Sequence, residues 1–296
     1  MPETPPTPTT WTIGNLLVWT KSHFEKSGVD DARLCAELLL AKAMGLKRIE
    51  LYARFEQIPS EAQRSAYREL VRAAAAHQPI AYLVGTKEFY SLEFAVTPDV
   101  LIPRPETELL VELALAWCKE RPQARIDIWD IGTGSGCIAV TLAKRCANVH
   151  AVASDCSEAA LRVAAENARR HGVQRIKFVQ ADLLDLSADV PSRFDIIVSN
   201  PPYIADSQRE SLPPNVRDHE PAVALFAGPD GLSIYRRLAA GVHERLKAGS
   251  LLALEVGQGQ ASAVESIIQE EGRLSATGRF KDLGGIERVV TFTLCP

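Results

Sequence analysis

Ile126-Asp127-Ile128-Trp129-Asp130-Ile131-Gly132-Thr133-Gly134-Ser135-Gly136, running into the apolar segment Cys137 to Cys146, is the stretch that decides the fold. It reads as a buried strand over Ile126 to Ile131, a tight turn, and a helix. Glycines at alternate positions let the backbone turn sharply and approach a ligand closely, and the helix behind them offers the positive end of its dipole. The spacing is G-x-G-x-G, not the G-x-G-x-x-G of a dinucleotide site. Such a loop suits the ribose and methionine portion of a smaller nucleoside ligand, although a glycine turn can also be purely structural.

Outward from this unit, strands and helices alternate in the manner of a parallel sheet covered on both faces. Further strands are expected at Val149 to Ser154, Ile176 to Val179, Phe194 to Ser199, Leu251 to Val256, Ala276 to Phe280 and Arg288 to Leu294. Helices are expected at Cys137 to Cys146, Ser157 to His171, Ser233 to Leu246 and Gln260 to Glu271. The last two strands have no helix between them and read as an antiparallel hairpin at the end of the sheet. The fold class is therefore α/β, a mostly parallel, Rossmann-like sheet with an antiparallel last strand.

Upstream the period is helical. Residues 11–79 read as a small all-α domain, with Asp30 and Asp31 as cap candidates and Ser60 with Gln63 at capping-box spacing. A packed appendage and a partner-docking domain are both open readings of it. Residues 80–104 read as a β-hairpin linker, with strands at Ile80 to Val84 and Phe89 to Val96 around Gly85-Thr86. Residues 105–296 form the sheet domain, entered by a helix from Glu106 to Cys118. The Pro/Thr-rich residues 1–10 lack the features of a signal peptide and are expected to be a disordered tail.

Composition narrows the function classes. The 296-residue chain is 46% hydrophobic with a formal net charge of -4. Its Arg and Lys residues between Lys47 and Arg72 alternate with Glu50, Glu56, Glu61 and Glu69, the pattern of a solvated helix face. No basic patch offers itself to phosphates, so no nucleic-acid partner is expected. Six scattered cysteines without a C-x-x-C pair point to reduced thiols in a cytoplasmic protein, and six dispersed histidines give no metal site. No apolar run is long enough to span a bilayer, so no membrane association is expected.

Three positions join the glycine loop as site candidates. Asp155 ends the second strand, 19 residues after Gly136, where a carboxylate can accept both ribose hydroxyls. Asp182, after the third strand, is placed to reach an adenine amino group with Leu183 or Leu184 over the ring; a cap or turn role is equally open to it. The fourth strand ends in Ser199-Asn200-Pro201-Pro202-Tyr203. The prolines stiffen this loop and fix its carbonyls, which suits it to grip a flat polar group.

The glycine loop, the acid after the second strand and Asn-Pro-Pro-Tyr after the fourth resemble class I S-adenosylmethionine-dependent methyltransferases that act on a planar nitrogen. That tetrapeptide is shared by enzymes for adenine N6 and for glutamine N5. The segments Gln78 to Gly85, Val100 to Glu108 (Val-Leu-Ile-Pro-Arg-Pro-Glu-Thr-Glu), Glu220-Pro221, Gly228 to Leu232 and Lys281 to Val290 closely resemble the HemK-type peptide chain release factor glutamine methyltransferases. Departures are small: Ser154 stands where an apolar residue is usual, and Glu158 where a proline is common. The sister family acting on a ribosomal protein has the same tetrapeptide but lacks Arg104-Pro105-Glu106-Thr107-Glu108.

The resemblance implies transfer of a methyl group from S-adenosyl-L-methionine, giving S-adenosyl-L-homocysteine, to the glutamine of the Gly-Gly-Gln loop of release factors. On that reading the cofactor is held by Gly132, Thr133, Gly134, Ser135, Gly136, Asp155, Asp182, Leu183 and Asn200. The substrate amide is held by Asn200, Pro201, Pro202 and Tyr203, of which Asn200, Pro201 and Tyr203 are the expected catalytic residues. Asn200 Oδ1 and the Pro201 carbonyl would accept the amide hydrogens, while Tyr203 packs on the amide. Arg104 and Glu106 border the substrate channel or only start a helix. The helical domain and hairpin would help dock the release factor, and the chain is expected to act as a monomer. The competing readings are an adenine methyltransferase, which should carry a basic groove and flip its base onto Tyr203, and a non-catalytic binder of cofactor or translation factor.

Overall fold

Strands dominated by alternating apolar residues set the larger part of the structure. A computed structural model describes residues 10–270 and 272–295, which fall into two compact units, one of the described residues from 86 to 212 and from 220 to 295 and the other of residues 10–85 with 213–219. The Pro/Thr-rich stretch before Thr10 lies outside the described residues.

The helical unit contains α1 (Ile13–Ser27), α2 (Ala32–Met44), α3 (Arg48–Ala53), α4 (Glu61–Ala75) and α5 (Ile80–Val84). Phe24, Leu39, Leu40 and Leu51 are fully buried in its core, each contributing about 1.5–3 kcal/mol relative to exposure. Ser60 and Gln63 close the expected capping box over α4, Ser60 Oγ accepting from Gln63 N at 3.2 Å and Gln63 Oε1 from Ser60 N at 2.9 Å. Asp31 does occupy the N-cap of α2, but in the left-handed region and without a side-chain cap bond. The charged face of α4 is solvated, with Arg72 and Glu69 paired at 2.7 Å and both side chains largely exposed.

Ile80–Val84, expected as a strand, is instead the helix α5. Pro79 precedes its first turn, and Gly85 at φ 85° ends it with a bond from its N–H to the Ala81 carbonyl. The hairpin is one element later, β1 (Thr86–Phe89) against β2 (Leu92–Ala95). Its turn residues Tyr90 and Ser91 both have positive φ, 51° and 57°, matching the right-handed strand twist although neither is Gly or Asn. Glu108 Oε1 accepts from Tyr90 N at 2.7 Å and Arg145 Nη2 donates to Tyr90 O at 3.0 Å, holding that turn.

The hairpin belongs to the sheet unit, where Phe89 and Phe94 join the core. There follow α6 (Glu108–Lys119), β3 (Ile126–Ile131), α7 (Cys137–Arg145), β4 (Val149–Asp155), α8 (Glu158–Arg170), β5 (Ile176–Gln180) and β6 (Phe194–Ser199). Beyond the single turn α9 (Pro214–Arg217) come α10 (Ser233–Ala239), β7 (Leu246–Glu255), α11 (Ala261–Gln269), β8 (Leu274–Lys281) and β9 (Glu287–Leu294). The helix expected to run to Leu246 stops at Ala239, and a 3-10 turn over Val242–Arg245 carries the chain into β7.

The sheet order is β5-β4-β3-β6-β7-β9-β8, parallel except for β9, which runs antiparallel to both β7 and β8. Alternate side chains feed opposite faces: Ile126 and Ile128 pack with α6 and α7, whereas Trp129 and Ile131 pack with α10 and α11. The topology reverses at β3 and β6, so a crevice opens beyond their carboxyl ends.

Candidate active site

Register places the chemistry-bearing residues in one row. Ser154, Ile131, Ser199 and Leu254 lie side by side on β4, β3, β6 and β7. The next residue on each strand is therefore Asp155, Gly132, Asn200 and Glu255. Ser199 Oγ donates to Ile131 O at 2.8 Å, tying the glycine loop and the Asn200 loop together where both leave the sheet.

The glycine loop takes the shape its residues allow. Gly132, Gly134 and Gly136 have φ of 71°, 55° and 79°, a region that costs other residues roughly 1–2 kcal/mol. A Cβ at Gly132 or Gly134 would have no atom within 4 Å, so the backbone there borders open space; at Gly136 it would lie 3.0 Å from the Ala164 Cβ. The first two glycines leave room for a ligand, and the third lets α8 pack close. Behind the loop Asp130 is fully buried, its Oδ2 accepting from Thr133 Oγ1 at 2.7 Å and Ala139 N at 3.1 Å. Burial pushes its carboxyl up to about 6.

Asp155 accepts from Gly134 N through Oδ2 and from Ser157 N through Oδ1, both at 2.9 Å. Each oxygen retains a lone pair for a ligand hydroxyl. Ser154, the unusual polar residue before it, is buried and accepts from the Trp129 indole Nε1 at 2.8 Å. Glu158 simply opens α8, which Ser157 caps through its bond from Ala160 N. Asp182 is exposed and paired with Arg237 at 2.8 Å, and Leu183 sits at φ 53°.

Asn200 donates from Nδ2 to Thr107 Oγ1 at 3.0 Å. Its Oδ1 thereby remains available as an acceptor. Thr107 is buried, and burial raises the carboxyl of Glu255, which ends the neighbouring strand, to about 7. Tyr203 is packed against the core on the side of α10 and α11, and burial lifts its phenol to about 12. Its carbonyl accepts from Gln260 Nε2 at 3.0 Å, which fixes the far end of the loop. Arg104 pairs with the buried Glu220, whose Oε2 also accepts from Ile102 N at 3.2 Å.

A cavity of about 190 Å³ brings together Gly132, Thr133, Gly134, Asp155, Asp182 and Leu183 with Asn200 and Pro202. Arg104, Thr107 and Arg237 also border it. Ser135, Gly136, Pro201 and Tyr203 do not line it: Ser135 is buried, its carbonyl accepting from Asn167 Nδ2 at 2.8 Å, and Tyr203 is half-buried against the core. Sequence reading missed Asp130, Thr107 and Glu255. The available signal for the two acids was a carboxylate where an apolar run meets its loop, Asp130 near the end of β3 and Glu255 at the end of β7.

Known proteins align with both parts of this architecture. A family model described as PrmC N-terminal domain matches residues 15–85, and one described as Methyltransferase small domain matches residues 107–213. The release factor glutamine methyltransferase of Rhodopirellula baltica is 42% identical over 286 residues, 96% of each chain. That of Geobacter sulfurreducens is 42% identical over 283 residues, 96% of this chain and 97% of its own. A solved catalytic domain of hMettl16, in complex with the MAT2A 3'UTR hairpin 6, shares the fold at a TM-score of 0.55 and 16% identity, covering 77% of this chain and 83% of that one. With identity at this level along nearly its whole length, the chain belongs to the release factor glutamine methyltransferase family.

Proposed function

We propose that this protein uses S-adenosyl-L-methionine to methylate the side-chain amide nitrogen of the glutamine in the Gly-Gly-Gln loop of peptide chain release factors. The single observation that carries the chemistry is the Asn200 amide, anchored through its nitrogen to Thr107 and left with Oδ1 as an acceptor. Nothing in the donor set conflicts with the cofactor. Backbone open at Gly132 and Gly134, a carboxylate at Asp155 and a second at Asp182 suit a nucleoside bearing ribose hydroxyls and an amino-substituted base. When bound, the cofactor supplies an electrophilic methyl group on a sulfonium.

An amide nitrogen is a weak nucleophile because its lone pair is delocalised into the carbonyl. Asn200 Oδ1 and the Pro201 carbonyl accept its two hydrogens, aim the nitrogen at the methyl group and favour the positive charge that grows on it. The proton leaves after transfer, so no strong base is needed. Pro201 and Pro202 keep the carbonyl in place at no further entropic cost. Tyr203 packs on the substrate amide and excludes water, and it anchors the loop through its half-buried ring and the bond from Gln260 Nε2 to its carbonyl. The thiols are all free and no helix among the described residues is long and apolar enough to cross a membrane, which supports a cytoplasmic site of action.

Asn200→Ala tests the reading. Methyl transfer should fall by a factor of about 10² to 10³, as for loss of one preorganised polar partner. Near-normal transfer by this variant removes Asn200 from the mechanism.

A further inference from the structure

Among the described residues that line the site cavity, the cations are Arg104 and Arg237. Arg237 is committed to Asp182, its Nη2 donating to Oδ2 at 2.8 Å, with both side chains about half exposed. Arg104 is held by a different kind of partner. Its Nη2 donates to Glu220 Oε1, while Glu220 Oε2 accepts from Ile102 N at 3.2 Å. The Glu220 side chain is 1% exposed, whereas that of Arg104 is 33% exposed. A guanidinium carries five N–H donors in a rigid fork. Glu220 takes one, and no other protein acceptor takes a donor from Arg104 among the described residues. Burying a carboxylate is a costly way to fasten a loop that an apolar pair could hold. What it does provide is a guanidinium fixed at the cavity wall with donors to spare.

The sheet decides which end of a ligand each arginine meets. Strand order β5-β4-β3-β6 puts Asp182, Asp155, Gly132 and Asn200 in that sequence along the cavity. Three strand spacings of about 4.8 Å make roughly 14 Å, which suits an extended nucleoside with an amino-acid tail. With Asp182 and Asp155 at the base and ribose, the tail lies toward Asn200. Arg104 belongs to that end, for Thr107, one turn further along its segment, accepts from Asn200 Nδ2 at 3.0 Å. The tail of S-adenosyl-L-methionine carries an α-carboxylate, the group that a free guanidinium edge matches in shape and charge.

We infer that Arg104 binds the α-carboxylate of S-adenosyl-L-methionine, and that Glu220 is the buried positioning residue that holds its guanidinium at the amino-acid end of the cavity. This rests on the reading of Asp155 and Asp182 as the nucleoside end. Two fixed points, Asp155 for the ribose and Arg104 for the carboxylate, keep the bound cofactor from sliding along the row. The same pair makes the site select a cofactor with an intact amino-acid tail over a decarboxylated one.

The experiment is calorimetry of the full chain with S-adenosyl-L-homocysteine and with its decarboxylated analogue. The proteins are wild type, Arg104→Gln, Arg104→Lys, Glu220→Gln and Asp155→Ala. Wild type should bind the carboxylate-bearing ligand about tenfold to a hundredfold more tightly, the scale of one hydrogen-bonded contact between charged groups. Arg104→Gln should erase that difference by weakening S-adenosyl-L-homocysteine alone. Arg104→Lys keeps the charge without the fork and should restore part of it. Glu220→Gln should narrow the difference, and a full difference there overturns its positioning role. Equal wild-type affinities for the two ligands overturn the proposal without any variant, so it stays testable if a variant fails to fold. An Arg104→Gln that weakens both ligands alike also overturns it, since that is the mark of a structural tie. Asp155→Ala should weaken both ligands alike. If it does so while Arg104→Gln leaves the difference intact, the carboxylate assignment fails alone; if Asp155→Ala binds both as wild type does, the nucleoside reading fails and the assignment with it.

Discussion

Trp129 on β3 reaches diagonally to Ser154 on β4, two residues beyond its register partner Val152; both are buried, and the indole Nε1 donates to the serine Oγ at 2.8 Å. The bond explains why a polar residue can precede Asp155 in the core. Ser154→Ala should destabilise the fold by about 1–3 kcal/mol, because it strands a buried donor. Pairing it with Trp129→Phe should recover part of that loss, since no donor then remains. Equal destabilisation by the single and double changes in urea unfolding would show that the bond carries nothing.

Gly136 combines a left-handed φ of 79° with a Cβ position 3.0 Å from Ala164 Cβ and 3.2 Å from its Cα. Gly136→Ala should therefore cost at least about 1–2 kcal/mol of stability and weaken cofactor binding, because the loop shifts when α8 is pushed away. Gly132→Ala meets no such neighbour, so its loss should fall on cofactor affinity more than on folding. Calorimetry together with thermal unfolding separates the two, and equal melting temperatures for both variants would count against the packing role of Gly136.

Asp155 shapes the loop as well as facing the cavity, through its bonds from Gly134 N and Ser157 N. Asp155→Ala should weaken cofactor binding with the fold intact. Unchanged affinity by calorimetry would contradict the assignment of Asp155 to the ribose.

Burial holds Glu255 at about 7, above the ordinary glutamate value of about 4.5. Between those values the folded chain binds more protons than the unfolded one, so this group's contribution to stability is full at low pH and declines as pH rises through the folded value. Glu255→Gln cannot ionise. Relative to wild type it should gain about 3 kcal/mol of stability between about pH 5 and about pH 8. Parallel pH dependences of the two unfolding free energies would refute this.

Strands whose faces are both buried were legible from the chain: β3 and β6 run over the residues that their apolar content marks. Short runs were not. Ile80–Val84 is five apolar residues, too few to separate a helical from an extended period, and the flanking Pro79 and Gly85 decided in favour of helix. The site was legible where a single loop carries it, as at Gly132 to Gly136. It was hidden where two distant segments meet: Asn200 and Thr107 are 93 residues apart. Tyr203 illustrates the same limit, for the packing of its half-buried ring against the β7 side comes from segments far from the tetrapeptide in sequence.

The measurement closest to the central claim is the location of the transferred methyl group. Wild-type protein incubated with isotopically labelled S-adenosyl-L-methionine and either a release factor or duplex DNA should label the release factor, with mass spectrometry placing the methyl on the side-chain nitrogen of the Gly-Gly-Gln glutamine. Label on adenine, on another residue, or on neither substrate would contradict the account.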